Sequence, residues 1–249
     1  MQPADGQDSD SPGLGGRRVV VTRAVSYAKP LIEAIELHGG VSIALPLLQI
    51  VDIPGIENAI VELLRSLTAR DWLIVLSPNG ARRVLAASPE GELRCQIAAI
   101  GRGTAAVLTE AGSPVDLIPD VASSVGLLAA LKEHDVSGRV IIAQAEGGLS
   151  TLVDGLLERG VEATALAVYR NILPAIDADA AKQALAATDV VFASPSAVVR
   201  YVEHIGEQPT RAVCIGEVTA SEARSHGFDV TVAHSPTVEA LLTALQAGR

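Results

Sequence analysis

Hydroxyl groups at the ends of apolar runs carry most of the possible chemistry in this chain. Ser77-Pro78-Asn79-Gly80 follows the run 72–76, and Ser194-Pro195-Ser196 follows 190–193. A serine before proline is a helix N-cap, because proline's missing N–H has no partner in the first helical turn. Two such ends at equivalent places also suit an anion, since free backbone N–H groups there bind carboxylates or phosphates. Gly101-Arg102-Gly103-Thr104 and Gly216-Glu217-Val218-Thr219 form a second pair. Neither is a dinucleotide fingerprint, as Ala106 replaces the third glycine of the first and the second lacks its middle glycine; no lysine makes either a P-loop. The glycines are explained by a sharp strand-to-helix turn, and Thr104 and Thr219 read as caps or as hydroxyl donors to a ligand. Ser123-Ser124 and Ser235-Pro236-Thr237 open further helices as N-caps.

Three other places hold groups able to act on a ligand. Arg23, after Thr22 at the end of an apolar run, either grips a carboxylate through two N–H groups or is solvated. Gln144 precedes a loop containing Gly147 and Gly148. Tyr169, one of three tyrosines, is followed by Arg170-Asn171; it is either a strand-end aromatic facing water or a weak general acid with an ordinary pKa near 10. No activated nucleophile, carboxylate pair or Ser/His/Asp set emerges. The five histidines are scattered, so no metal site is expected. Cys95 and Cys214 read as buried small apolar residues in a reducing compartment. Chemistry here must run on positioning.

Short Val- and Ile-rich runs alternate with amphipathic stretches of helical period, the pattern of parallel strands with crossover helices. Strands are expected at 18–22, 41–45, 72–76, 97–100, 115–118, 139–143, 162–168, 190–193, 212–215 and 229–232. Helices are expected at 28–38, 57–68, 79–87, 103–111, 123–134, 150–159, 178–187, 196–204, 217–225 and 237–247. In such sheets ligands bind beyond the carboxyl ends of the strands, where all the groups above fall.

The chain also repeats itself. Arg18-Val19-Val20-Val21 returns as Arg139-Val140-Ile141-Ile142, Asp71-Trp72 with its Ser-Pro as Asp189-Val190 with Ser194-Pro195, and Ile100-Gly101-x-x-Thr104 as Ile215-Gly216-x-x-Thr219. A repeat this long is a duplicated domain, too large for a solenoid module. Two similar lobes usually hold a ligand between them.

Hydrophobic residues make up 49% of the 249 and aromatics 2%, which suits tightly packed α/β layers. The net charge of −10, with no basic stripe, argues against nucleic acid or an anionic membrane as partner. No run is long enough to span a bilayer, and the chain reads as cytoplasmic. Residues 1–16 carry no signal-peptide features and read as a disordered leader.

These residues resemble the uroporphyrinogen-III synthase family over about 17–247. The resemblance is carried by Val21-Thr22-Arg23, Asp71-Trp72 with Ser77-Pro78-Asn79-Gly80, Ile97-Ala98-Ala99-Ile100-Gly101-x-Gly103-Thr104, Val168-Tyr169, Phe192-Ala193-Ser194-Pro195-Ser196-Ala197 and Ile215-Gly216-x-x-Thr219. Ala24, Arg102 and Glu217 depart from it where proline is frequent in the family. The resemblance implies two similar parallel-sheet α/β lobes, flavodoxin-like and doubly wound, joined by a two-stranded β linker around a ligand cleft. One lobe would comprise 17–46 with 170–249 and the other 52–165, with linker strands near 41–51 and 162–171.

The implied reaction closes hydroxymethylbilane, a linear tetrapyrrole with eight carboxylates, to uroporphyrinogen III with inversion of ring D and loss of water. No cofactor is implied. Tyr169 and Thr219 would be catalytic. Thr22, Arg23, Ser77, Asn79, Gly101, Thr104, Ser123, Ser124, Gln144, Ser194, Ser196, Gly216 and Thr237 would bind the substrate. A monomer receiving its bilane by transient handover from hydroxymethylbilane synthase is expected. The alternative is a non-catalytic two-lobed sensor for a tetrapyrrole or another polyanionic small molecule.

Overall fold

The computed structural model describes residues 13–88, 93–207 and 211–247. They form two compact units. The first takes the chain up to Gln49 together with Ile172 onward, and the second takes Ile50–Asn171.

The first unit is built on β1 (Arg18–Val21), β2 (Val41–Ala44), β8 (Asp189–Phe192), β9 (Arg211–Cys214) and β10 (Asp229–Val232), in the order β10-β9-β8-β1-β2. Every pairing in this sheet is parallel. Successive residues face opposite sides. Val20, Val190, Phe192, Ala212 and Cys214 thus enter one core layer, and Val19, Val21, Val191 and Val213 enter the other. Helices cover both faces, so the strands read as continuous apolar runs rather than alternating ones. α1 (Val25–Leu37) and α10 (Val238–Gln246) line one layer, and α7 (Ala178–Ala184), α8 (Pro195–Ile205) and α9 (Glu217–Ser225) line the other.

The second unit is built on β3 (Gln49–Val51), β4 (Trp72–Val75), β5 (Gln96–Ala99), β6 (Val140–Ala145) and β7 (Ala163–Ile172), ordered β3-β7-β6-β4-β5, with β7, β6, β4 and β5 paired in parallel as in the first. Leu73, Val75, Ile97, Ala99, Ile141 and Ala143 face one layer, while Trp72, Ile74, Ala98, Val140 and Ile142 face the other. Its helices are α2 (Ile56–Ser66), α3 (Pro78–Ala86), α4 (Arg102–Glu110), α5 (Ser124–Ala130) and α6 (Thr151–Leu157).

Two expectations are corrected. The strand at 115–118 is reduced to a bridge between Ala98 and Leu117, because the Asp116 carboxylate itself takes the Ile97 N–H at 2.7 Å and interrupts the ladder. The leader does not run to residue 16: Leu14 is 1% exposed and packs in the core with Ile35, and Gly16 N–H donates to Gly39 O at 2.7 Å. Residues 1–12 lie outside the described part. The repeat and the sheets divide the chain differently: β1 and β2 share a sheet with β8–β10, and β6 and β7 share one with β4 and β5.

A buried aspartate holds the amino-terminal edge of each sheet. Asp71 accepts from Thr68 N and Oγ1 and from Arg139 N and Nη2, at 2.8–3.3 Å. Asp189, fully buried, pairs with Arg17 and with Arg211. Burial would raise the Asp71 pKa, but these hydrogen bonds outweigh it and hold the group at about 2.

Candidate active site

In the second unit, the carboxyl end of β4 runs into Ser77, whose extended backbone leaves Oγ free to cap α3. That oxygen accepts from Gly80 N–H at 3.0 Å and lies 3.0 Å from the Tyr169 hydroxyl. Tyr169 stands near the end of β7 and is only 7% exposed. Its carbonyl accepts from Glu146 N–H at 2.8 Å. The face of its ring meets the Arg83 guanidinium, 5.2 Å from the centroid.

The other tyrosines are differently placed. Tyr27 is exposed, whereas Tyr201 is fully buried against Phe192 and Phe228 and burial pushes its pKa to about 12. Burial likewise raises Cys95 to about 11 and Cys214 to about 12, so neither is a thiolate at neutral pH.

Gln144 is the penultimate residue of β6, the strand beside β4, and is 9% exposed. The loop behind it turns through Gly147, at φ 70°, and passes so close that a Cβ on Gly148 would lie 2.7–3.0 Å from the Gln144 amide group. Asn79 sits in the first turn of α3, its side chain 3.4 Å from Arg82 Nη1. Ser123 caps α5 through Gly126 N–H at 3.0 Å, with Ser124 the first helical residue.

The first unit presents a related edge. Ser194 caps α8 through Ala197 N–H at 3.2 Å, and its Oγ is 3.0 Å from that of Ser196. Thr237 caps α10 through Ala240 N–H. Thr22 is less available than expected: it is 1% exposed, and its hydroxyl donates to Val191 O at 2.7 Å, tying β1 to β8. Arg23 is half-buried, and desolvation lowers its pKa. It lines a cup of about 180 Å³ with Val21, Ala28, Ile32, Ala44 and Pro46. A cation beside aliphatic walls suits a ligand with an apolar ring and an acidic arm.

Thr104 and Thr219 are not caps. Gly101 and Gly216 occupy the cap positions of α4 and α9 without a side-chain hydrogen bond, and each threonine lies inside the first turn, buried. Nor do these glycines serve the turn, since their φ values of −174° and −177° are extended backbone open to any residue. A Cβ on Gly101 would meet that of Ala122 at 3.1 Å, but one on Gly216 would meet nothing. The fold therefore leaves Gly216 unexplained.

The chain order and the pair of hydroxyl-rich sheet ends can be set beside known proteins. The family model of uroporphyrinogen-III synthase HemD matches residues 29–243. The chain belongs to this family. It is 30% identical to the chloroplastic uroporphyrinogen-III synthase of Oryza sativa subsp. japonica, across 92% of this chain and 81% of that protein. Identity to the uroporphyrinogen-III synthase of Chlorobaculum parvum is 24%, covering 87% and 92%. Among solved structures, a mutant uroporphyrinogen III synthase from Thermus thermophilus superposes with a TM-score of 0.69 at 20% identity, covering 92% and 99%. The Helicobacter pylori enzyme gives 0.63 at 19%, covering 94% and 100%. At these identities the structures speak for the fold, two α/β units with parallel sheets.

Sequence reasoning passed over Arg83 and Asp52. The signal was there for Arg83: it stands four residues after Asn79 in a helix capped by Ser77, one turn from the expected site.

Proposed function

We propose that the chain is a uroporphyrinogen-III synthase that closes hydroxymethylbilane to uroporphyrinogen III, a lyase reaction losing water. The family match over 29–243 carries this reading, supported by 30% identity to the rice enzyme across most of both chains.

Departure of the terminal hydroxyl as water leaves an azafulvene. Its electrophilic methylene is attacked by the substituted α-carbon of ring D, and the spiro intermediate fragments and recloses with the ring inverted. The unassisted closure gives isomer I, so the protein must direct as well as accelerate. A tenfold preference needs about 1.4 kcal/mol of differential barrier, within reach of positioning alone.

The Tyr169 hydroxyl, oriented by Ser77, is the group we assign to the departing hydroxyl; Thr219 assists. Backbone N–H groups at Ser77, Ser194 and Gly216, with Arg23 and Gln144, hold the carboxylates despite the net charge of −10. Hydrogen bonds to charged groups are worth about 1.5–3 kcal/mol each. The enzyme works as a cytoplasmic monomer receiving its bilane by transient handover from hydroxymethylbilane synthase. No described helix is long and apolar enough to cross a membrane.

Supplying bilane in situ, oxidising the product and resolving the isomers tests the reading. Predominantly isomer III is expected, and isomer I alone at the unassisted rate would overturn it. In the same assay Tyr169→Phe should lower kcat at least tenfold; wild-type turnover would remove Tyr169 from the mechanism.

A further inference from the structure

Arg83 is fixed more thoroughly than a surface arginine needs to be. Its Nε and Nη2 both reach Asp52 Oδ1, at 2.8 and 2.6 Å, and its Nη1 donates to Asn79 O at 3.1 Å. With the edges of the guanidinium so occupied, its plane is set, and the carbon at its centre stands 5.2 Å from the Tyr169 ring centroid. The Arg83 side chain is 21% exposed, although Asp52 is 80% exposed. An ion pair to so exposed a carboxylate contributes little to stability. What the arrangement does achieve is geometric. Ser77 holds Tyr169 at the hydroxyl, Glu146 N–H holds it at the backbone, and Arg83 holds it on the ring face.

We propose that Arg83, steered by Asp52, is a positioning residue for Tyr169. It holds the phenol ring so that the hydroxyl stays on Ser77 and is presented to the substrate in one orientation. This rests on the reading of Tyr169 given above. A guanidinium is suited to the task, since one planar group can satisfy two acceptors in its plane and stack on an aromatic face. A lysine offers a point charge and cannot do all three. Displacement of a reacting group by about 1 Å can cost a hundredfold in rate, so loss of the ring contact alone should be felt in kcat.

The test compares Arg83→Gln, Arg83→Lys and Asp52→Ala with the parent enzyme, and Arg83→Gln again in a Tyr169→Phe background. All are followed by the rate of isomer III formation. Arg83→Gln should lower kcat roughly tenfold with little change in KM, Arg83→Lys should recover only part, and Asp52→Ala should cost two- to threefold, on the order expected of an exposed pair. Because the residue acts through the Tyr169 hydroxyl, Arg83→Gln should cost nothing further once that hydroxyl is gone. Full activity in Arg83→Gln, or a loss that multiplies with that of Tyr169→Phe, would overturn the proposal while leaving Tyr169 in place. Wild-type activity in Tyr169→Phe alone would instead strike at the reading beneath it. Should Arg83→Gln fail to fold, Asp52→Ala carries the same comparison, because it keeps the arginine but frees its guanidinium to leave the ring.

Discussion

Ser77 and Ser194 make the same cap in the two sheets and differ in their second contact, the Tyr169 hydroxyl for Ser77 and the Ser196 hydroxyl for Ser194. Each accepts from the backbone N–H three residues on, at 3.0 and 3.2 Å, but only Ser77 also meets a tyrosine hydroxyl. Replacing either with alanine removes a cap and should cost about 1 kcal/mol, seen as similar falls in the urea midpoint. Their effects on turnover should diverge. Ser77→Ala unties Tyr169 and should lower kcat well beyond Ser194→Ala, which loses only a binding hydroxyl; equal effects on kcat would mean that the Ser77–Tyr169 bond is idle. Gly216 allows a complementary check. A methyl there meets no atom, so Gly216→Ala should fold with unchanged or slightly higher stability. If its bare backbone receives a carboxylate, KM should rise several-fold; an unchanged KM would place the ligand elsewhere.

At the scale of the elements, a carboxylate works at the opposite edge of the sheet from the chemistry. Asp71 holds Arg139, at the start of β6, against the turn before β4. Its pKa lies at about 2 in the folded protein, against an ordinary 3.8. A folded pKa below the unfolded one adds stability that is complete above about pH 4 and is lost as pH falls through about 2, roughly 2 kcal/mol in all. Asp71→Asn should therefore be less stable than the parent at pH 6, and the gap in urea midpoint should close by pH 2. A gap that persisted would assign the loss to packing. Strands such as 190–193 were legible because both faces are buried and the run is unbroken. The strand expected at 115–118 was not, because whether Asp116 bonds Ile97 through its side chain or leaves that to the backbone is a tertiary matter. The ends of α1 and α5 shifted for a similar reason. α1 begins at Val25 rather than 28, without a side-chain cap to announce it, and α5 passes at Leu131 into a 3-10 turn. Of the candidate site, the capping serines could be read from their neighbours, whereas Arg83, Asp52 and the lost hydroxyl of Thr22 depend on what lies across the sheet.

For the molecule as a whole, the repeat in the sequence and the units in space divide the chain differently, and the sheets show how. β1 and β6 hold equivalent places, as do β4 and β8, and β5 and β9. Leaving β3 aside, the chain runs through one set of positions, the last of them only the Leu117 bridge, and then through the set again, yet each sheet takes its first two positions from one half and the remainder from the other. Residues 50–171 carry β4–β7 and both core layers of the second unit, so this fragment should fold alone. A single cooperative urea transition is expected, with a slope of about 1–2 kcal/mol/M. Residues 13–135 are nearly the same length but hold β1 and β2 of one sheet with β4 and β5 of the other. Most apolar faces in that fragment lack the layer they cover, so circular dichroism should show no cooperative transition. Were it to fold as sharply as 50–171, β1 and β2 would have taken the places of β6 and β7, and the exchange between halves would be dispensable for the fold.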